Sequence, residues 1–122
     1  MPTIDVNDGV ELPTALAGLT RINAQTGTTY TLQLSDRDKD VVLTNAAAIT
    51  LGLPNSLPEG WGCGIIQGGA GQVTLNPAPG ATLGNYDNHT KLAGLNATAG
   101  LVVRSNVGGA SAAYVLSGTT SA

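Results

Sequence analysis

Phenylalanine is absent from this chain of 122 residues, and Trp61 and three tyrosines are its only aromatic residues. The core must then be assembled from Leu, Val, Ile and Ala, with little of the large burial that rings supply. Such a core is thin, and a thin core favours oligomerisation, which supplies buried area that the monomer lacks. Charge is also scarce, at 11% of residues with a formal net charge of −3 and five bases, Arg21, Arg37, Lys39, Lys91 and Arg104. Non-specific nucleic-acid binding needs clustered cations, so nucleic acid is not an expected partner. The lone Cys63 excludes an intrachain disulfide and a cysteine-rich zinc site. Within Trp61-Gly-Cys-Gly-Ile65 it reads as a small buried hydrophobe. No apolar run reaches the ~18 to 20 residues of a membrane-spanning helix, and the N-terminus lacks a basic region followed by an apolar stretch. A soluble protein with no membrane partner and no recognisable export signal is expected, which makes the Asn88-His-Thr90 and Asn96-Ala-Thr98 triplets chance matches to the glycosylation pattern.

What the chain does have is short strand-like segments separated by turns. These are Thr29-Tyr-Thr-Leu-Gln-Leu34, Val41-Val-Leu43, Ala48-Ile-Thr-Leu-Gly-Leu53, Gly64-Ile-Ile-Gln67, Gly71-Gln-Val-Thr-Leu75, Leu101-Val-Val-Arg104 and Ala113-Tyr-Val-Leu116. Several alternate with period two: Tyr30, Leu32 and Leu34 fall on one face of the first, and Ile49, Leu51 and Leu53 on one face of the third, as expected of a strand between core and water. Threonine is abundant in and around them, and its branched side chain suits a pleated surface. The 17 glycines favour turns and bulges over long strands.

Residues 1–27 differ in character and read as an N-terminal arm, with residues 28–122 as the β domain. In the arm Ile4, Val6 and Val10 interleave with Asp5, Asp8 and Glu11, and Leu12, Leu16, Leu19 and Ile22 follow at helical or irregular spacing. Arms of this kind are ordered only when something ties them down. Ser35-Asp-Arg-Asp-Lys-Asp40 reads as a polar turn, and Pro54 to Gly60 as a longer loop. Gly68-Gly-Ala-Gly71 and Val107-Gly-Gly-Ala110 are each expected to close a hairpin. From Gly84 to Gly100 the pattern loosens and holds a short strand at most. No fixed-period repeat is evident, so a solenoid or propeller is not expected.

The motifs that invite a chemical reading are better explained by structure. Asp36-x-Asp38-x-Asp40 starts like a calcium loop, but Val41 and Ala47 stand where an EF-hand needs Gly and Glu. Asp87-Asn-His89 pairs a carboxylate with an imidazole, without the Gly-x-Ser-x-Gly elbow of a hydrolase. Gly68-Gly-Ala-Gly-Gln72 matches a phosphate loop only in glycine content. Glu11 and Glu59 are far apart for glycoside hydrolysis. No catalytic, cofactor-binding or metal-binding residue is expected, and the protein is not read as an enzyme.

The succession Tyr30-Thr-Leu-Gln-Leu34, Asp38-Lys39, Leu43-Thr-Asn45, Ala48-Ile-Thr-Leu51, Leu53-Pro-Asn-Ser56, Gly69-Ala-Gly-Gln-Val-Thr74 and Tyr114-Val-Leu-Ser-Gly118 resembles a β module widespread in virion proteins of tailed bacteriophages. The resemblance covers about residues 28 to 118. Trp61-Gly-Cys63 and the stretch from 84 to 100 match least. Modules of this group occur at tail-fibre tips and as stand-alone proteins that cement or decorate the capsid. The resemblance implies a role in the virion without saying which part; only about 27 residues precede the module here, and a fibre tip usually follows a long shaft, so a capsid cement is the expectation.

The expectation is therefore an all-β domain, a jelly-roll-like sandwich or small barrel of about seven or eight antiparallel strands with an N-terminal arm, forming a homotrimer. It would bind the major capsid protein on the outer capsid surface of the virion and stabilise the shell, without a cofactor. Expected interface residues are Ile4, Val6, Val10, Leu12, Leu16 and Leu19, since apolar arm residues gain most from docking; packing on their own domain is the alternative. The competing function is a tail-fibre or tail-tip adhesion module that binds a host glycan or receptor, with Trp61 and Tyr86 as the aromatics available to stack on sugar.

Overall fold

A computed structural model describes residues 21–122, and Ile4, Val6, Val10, Leu12, Leu16 and Leu19 lie outside the described residues. The described strands, in chain order, are β1 (Ile22–Gln25), β2 (Thr29–Thr31), β3 (Asp40–Leu43), β4 (Ile49–Leu53), β5 (Gly62–Gln67), β6 (Val73–Pro77), β7 (Thr82–Asn85), β8 (Lys91–Leu92), β9 (Thr98–Asn106), β10 (Ala112–Gly118) and β11 (Thr120–Ser121). They form a six-stranded sheet in the order β1-β3-β5-β9-β10-β7 and a five-stranded sheet in the order β11-β8-β6-β4-β2. The domain is an all-β sandwich, with eleven described strands rather than seven or eight. Ile22–Gln25, at the end of the stretch read as arm, pair with β3 and so belong to a sheet.

Pairing is mixed, not antiparallel throughout. Strands β1, β3 and β5 run parallel, as do β2, β4 and β6. This follows from how the chain winds: consecutive strands alternate between the sheets, so each coil lays one strand on each sheet in the same direction. From β1 to β6 the path is a short two-sided solenoid, contrary to the expectation drawn from the missing repeat. Ile22 aligns with Asp40 and Asp40 with Gly64, steps of 18 and then 24 residues, so no constant period could reveal the winding. The second half is largely antiparallel, through β5–β9, β9–β10, β6–β8 and β8–β11.

The hairpin expected across Gly68-Gly-Ala-Gly71 does not form, because β5 and β6 lie in different sheets. That turn instead stacks on the turn of the previous coil: Gly68 N–H donates to Leu43 O at 2.8 Å and Gly71 N–H to Asn45 O at 3.0 Å. A Cβ at Gly69 or Gly71 would overlap the backbone of Thr44 or Ala47, which is why glycine stands there. The earlier turn is tied in the same way, with Thr44 N–H donating to Gln25 O and Asn45 Nδ2 to Thr26 O. The other expected hairpin forms, with β9 and β10 joined through Gly108 and Gly109 at φ 77° and 83°.

The core lies between the sheets. Val41, Leu43, Ile65, Leu101, Val103, Tyr114 and Leu116 enter it from the six-stranded sheet, and Ile49, Leu51, Leu53, Val73, Leu75 and Leu92 from the five-stranded one. Trp61 is fully buried and its Nε1–H donates to Leu34 O at 3.2 Å, which supplies the partner a buried indole needs. Leu34 does not share the inward face of Tyr30 and Leu32: β2 stops at Thr31, a 3-10 turn spans Leu34–Asp36, and Leu34 is 61% exposed.

Candidate interaction surface

The three carboxylates of Asp36-x-Asp38-x-Asp40 diverge. Asp36 turns inward and is 2% exposed. It accepts hydrogen bonds from Tyr30 Oη at 2.7 Å, Asn23 Nδ2 at 2.7 Å and Gln33 N–H at 2.9 Å. Asp38 is exposed, at φ 62°. Asp40 lies on the outer side of β3, with its Oδ2 3.7 Å from Arg21 Nη2. No group of three or more His, Cys, Asp and Glu side chains among the described residues is placed to hold a metal ion. The Asp36 cluster is a polar plug at the first coil, where β1 offers Asn23 and Gln25 to the interior in place of aliphatic side chains. Burial and the hydrogen bond to Asp36 push the Tyr30 hydroxyl up to about 12.

Cys63 is buried behind a shallow depression of about 420 Å³ lined by Arg21, Asp38, Gly62, Cys63 and Gly64. Burial, reinforced by the charges of Asp36 and Asp40, pushes its thiol up to about 12, opposite to the direction a nucleophilic cysteine requires. At the other end of the sandwich, His89 Nδ1 sits 3.0 Å from Thr120 Oγ1. The backbone N–H groups of Asp87 and His89 both donate to Asn85 Oδ1, so Asp87-Asn-His89 is a turn organised around Asn85. Tyr86, in that turn, is 100% exposed. Trp61 is sealed in the core and presents no face to a ligand.

The broadest feature is one the sequence reading did not isolate: the outer face of the six-stranded sheet. Register aligns the outward residues in rows. Ala24, Val42, Ile66 and Thr98 form one, Ile22, Asp40, Gly64, Gly100 and Ser117 the next, and Gly62, Val102, Val115 and Gly84 a third. Val102 is 43% and Ile22 51% exposed, while their chain neighbours on β9, Leu101 and Val103, point into the core. The charged side chains on this face are Asp40, with Arg21 3.7 Å from it and Asp38 beside Gly62 and Gly64, and, at the end of β9, Arg104. The two central strands contribute Gly62, Gly64 and Gly100, which have no side chains of their own to cover the middle of the face. A Cβ at Gly64 would overlap the Asp40 carboxylate, so glycine there lets that side chain lie across the sheet. A signal for this face was present in the sequence: Gly64-Ile-Ile and Leu101-Val-Val do not alternate, as expected of strands apolar on both sides.

The opposite face of the sandwich is different in chemistry. Thr29, Thr50 and Thr74 align across β2, β4 and β6, with Lys91 next in the row. This surface is hydroxyl-rich, like an ordinary solvated sheet. The less polar six-stranded face is therefore the candidate interaction surface.

No protein-family model matches the chain, and no curated protein matches it.

Proposed function

We propose that this chain is a structural protein of a tailed-bacteriophage virion, a capsid cement or decoration protein that binds the outer capsid surface and stabilises the shell. The observation that carries the reading is the outer face of the six-stranded sheet, where Ile22, Val42, Ile66, Val102 and Val115 stand outward beside the charged Asp40, Arg21 and Arg104, a contact surface on a domain whose buried groups are committed to packing. The resemblance of residues 28 to 118 to virion β modules supplies the setting. In this reading the domain sits on the shell as a homotrimer, and Ile4, Val6, Val10, Leu12, Leu16 and Leu19 contact the major capsid protein across the seams between subunits. Contacts that bury on the order of 1,000 Å² or more reach the size of a specific interface.

Cryo-EM of particles carrying the protein tests this directly. Density on the shell, lost when residues 1–20 are deleted from a chain that still folds, is expected; density on the tail overturns it. The adhesion reading rests on one observation, the full exposure of Tyr86 at a loop tip, where a ring is available to stack on a sugar. The same images separate the two.

A further inference from the structure

We infer that the domain sits on the major capsid protein by the end of the sandwich at which the described chain begins, with Leu34 and Val107 as the apolar contacts of that end. The inference deepens the capsid reading and rests on it, since it says which side of the domain meets the shell.

Chain reach selects the end. In the capsid reading Leu16 and Leu19 touch the shell, and Leu19 stands two residues before Arg21. Two residues of fully extended chain span about 7 Å at most, so Arg21 and the loops around it come down on the same surface. Strand direction names those loops. Asp40 N–H donates to Arg21 O, which sets the start of β3 beside the start of β1, and β5 runs parallel to both. Connections 32–39 and 54–61 lead into β3 and β5 and therefore lie at this end, as does 78–81 after β6, which is parallel to β4. Ala112 N–H donates to Asn55 O at 3.3 Å, which brings the turn at 107–111 there too. Connections 26–28, 44–48, 68–72 and 93–97 lie at the opposite end, where Gln67 N–H donates to Ala97 O.

At the Arg21 end two aliphatic side chains stand out on turns that are held in place. Leu34 is 61% and Val107 81% exposed. Each opens a 3-10 turn, Leu34–Asp36 and Val107–Gly109. Both turns are tied to the 54–61 loop: Trp61 Nε1–H donates to Leu34 O at 3.2 Å, and Asn106 Nδ2 donates to Asn55 O at 3.0 Å and to Leu57 O at 2.8 Å. Asn55 Nδ2 donates in turn to Pro79 O at 2.8 Å, which adds the 78–81 connection to the same network. A side chain presented on a backbone that is already fixed loses little freedom on docking, so more of the gain from burying it appears as affinity. Arg37, Asp38, Lys39 and Glu59, charges of both signs, stand in the same loops and supply the polar rim of a specific contact. The partner this fits is a protein surface with apolar pockets for two aliphatic side chains and mixed charge beside them.

Co-sedimentation of the full chain with shells assembled without it, from the particle that carries it, tests the inference on the parent and on Leu34→Asp, Val107→Asp and Leu95→Asp. Leu95 is the control, a leucine with the same 61% exposure as Leu34 but at the opposite end. Parent and Leu95→Asp are expected to bind alike, while Leu34→Asp and Val107→Asp each weaken binding about tenfold or more with unchanged Trp61 emission. Parent-like binding by either of those two variants overturns the inference and leaves the capsid reading in place. Loss of binding by Leu95→Asp overturns it as well, since the opposite end then faces the shell. A parent that does not bind shells removes the capsid reading and the inference with it. If Leu34→Asp or Val107→Asp changes the sedimentation of the free protein, the end meets another copy of the chain and the inference falls. Where an aspartate variant misfolds, Leu34→Ser or Val107→Ser takes its place with the same expected outcome.

Discussion

The hydroxyl of Tyr30 donates to the carboxylate of Asp36 at 2.7 Å, which joins the edge strand β2 to the 3-10 turn that leads into β3. Asp36 is the one buried acid among the described residues, and this bond together with those from Asn23 and Gln33 satisfies it. Removing one donor to a buried carboxylate should be felt. Tyr30→Phe is expected to lower unfolding free energy by about 1–2 kcal/mol, and Asp36→Ala, which strands three donors, by on the order of 3 kcal/mol. Urea denaturation followed by Trp61 fluorescence measures both; equal stability of Tyr30→Phe and the parent would show that the bond contributes nothing net.

Alkali should weaken the fold for a related reason. Burial first, then the hydrogen bond to Asp36, raises the Tyr30 hydroxyl from 10.0 to about 12. Burial, then the charges of Asp36 and Asp40, raises Cys63 from 9.0 to about 12. Burial, then the nearby Cys63, also raises Tyr114. Each group holds its proton more tightly folded than unfolded, so its contribution is complete below the unfolded value and is lost as pH climbs toward the folded one. Melting temperature is expected to be level from pH 7 to about 9 and then to fall progressively toward pH 12. A melting temperature unchanged up to pH 12 would contradict the buried placement of these groups.

How far the fold was legible depends on which signal carried each part. Alternation at Ile49, Leu51 and Leu53 identified β4 and its inward face, because side-chain direction in a strand is a local property. The partners of β4 were not legible, since pairing with β2 and β6 depends on coils of unequal length. Gly68-Gly-Ala-Gly71 shows the same limit: glycine marked a turn correctly, but what demanded it was the backbone of Ala47 one coil away. Leu34 was assigned inward by extending the Tyr30 and Leu32 alternation past Thr31, where the needs of Asp36 end the strand. The outer face of the six-stranded sheet lay in residues already identified as strand, among them Val102 and Ile66. Only the register that places them in rows beside Gly62, Gly64 and Gly100 turns scattered aliphatics into a surface.

Coil stacking can be tested at a glycine. Gly71 lies against the carbonyls of Ala47 and Asn45, and a Cβ there would overlap both. Backbone offers no rotamer by which to retreat, so Gly71→Ala must shift one coil against the next, at an expected cost of about 2–3 kcal/mol. Gly94→Ala is the control: a Cβ there meets nothing within 4 Å, and stability should change by less than about 0.5 kcal/mol. Chemical denaturation of the two variants side by side is sufficient, and equal midpoints would contradict the stacked turns.

Aromatic placement separates the two functional readings in solution. The single tryptophan is sealed from solvent, so Trp61 emission should be blue-shifted and poorly quenched by iodide until the chain unfolds. Adding a host glycan cannot alter it by direct stacking. Tyr86 is fully exposed, and Tyr86→Ala should leave stability within about 0.5 kcal/mol of the parent. In the cement reading that variant also binds its particle with unchanged occupancy, because the ring lies in the β7–β8 turn, beyond the rows of the apolar face. If Tyr86→Ala instead abolishes attachment to a cell surface or a purified glycan while the fold and the oligomer persist, adhesion is the function and the loop around Asn85 is its site.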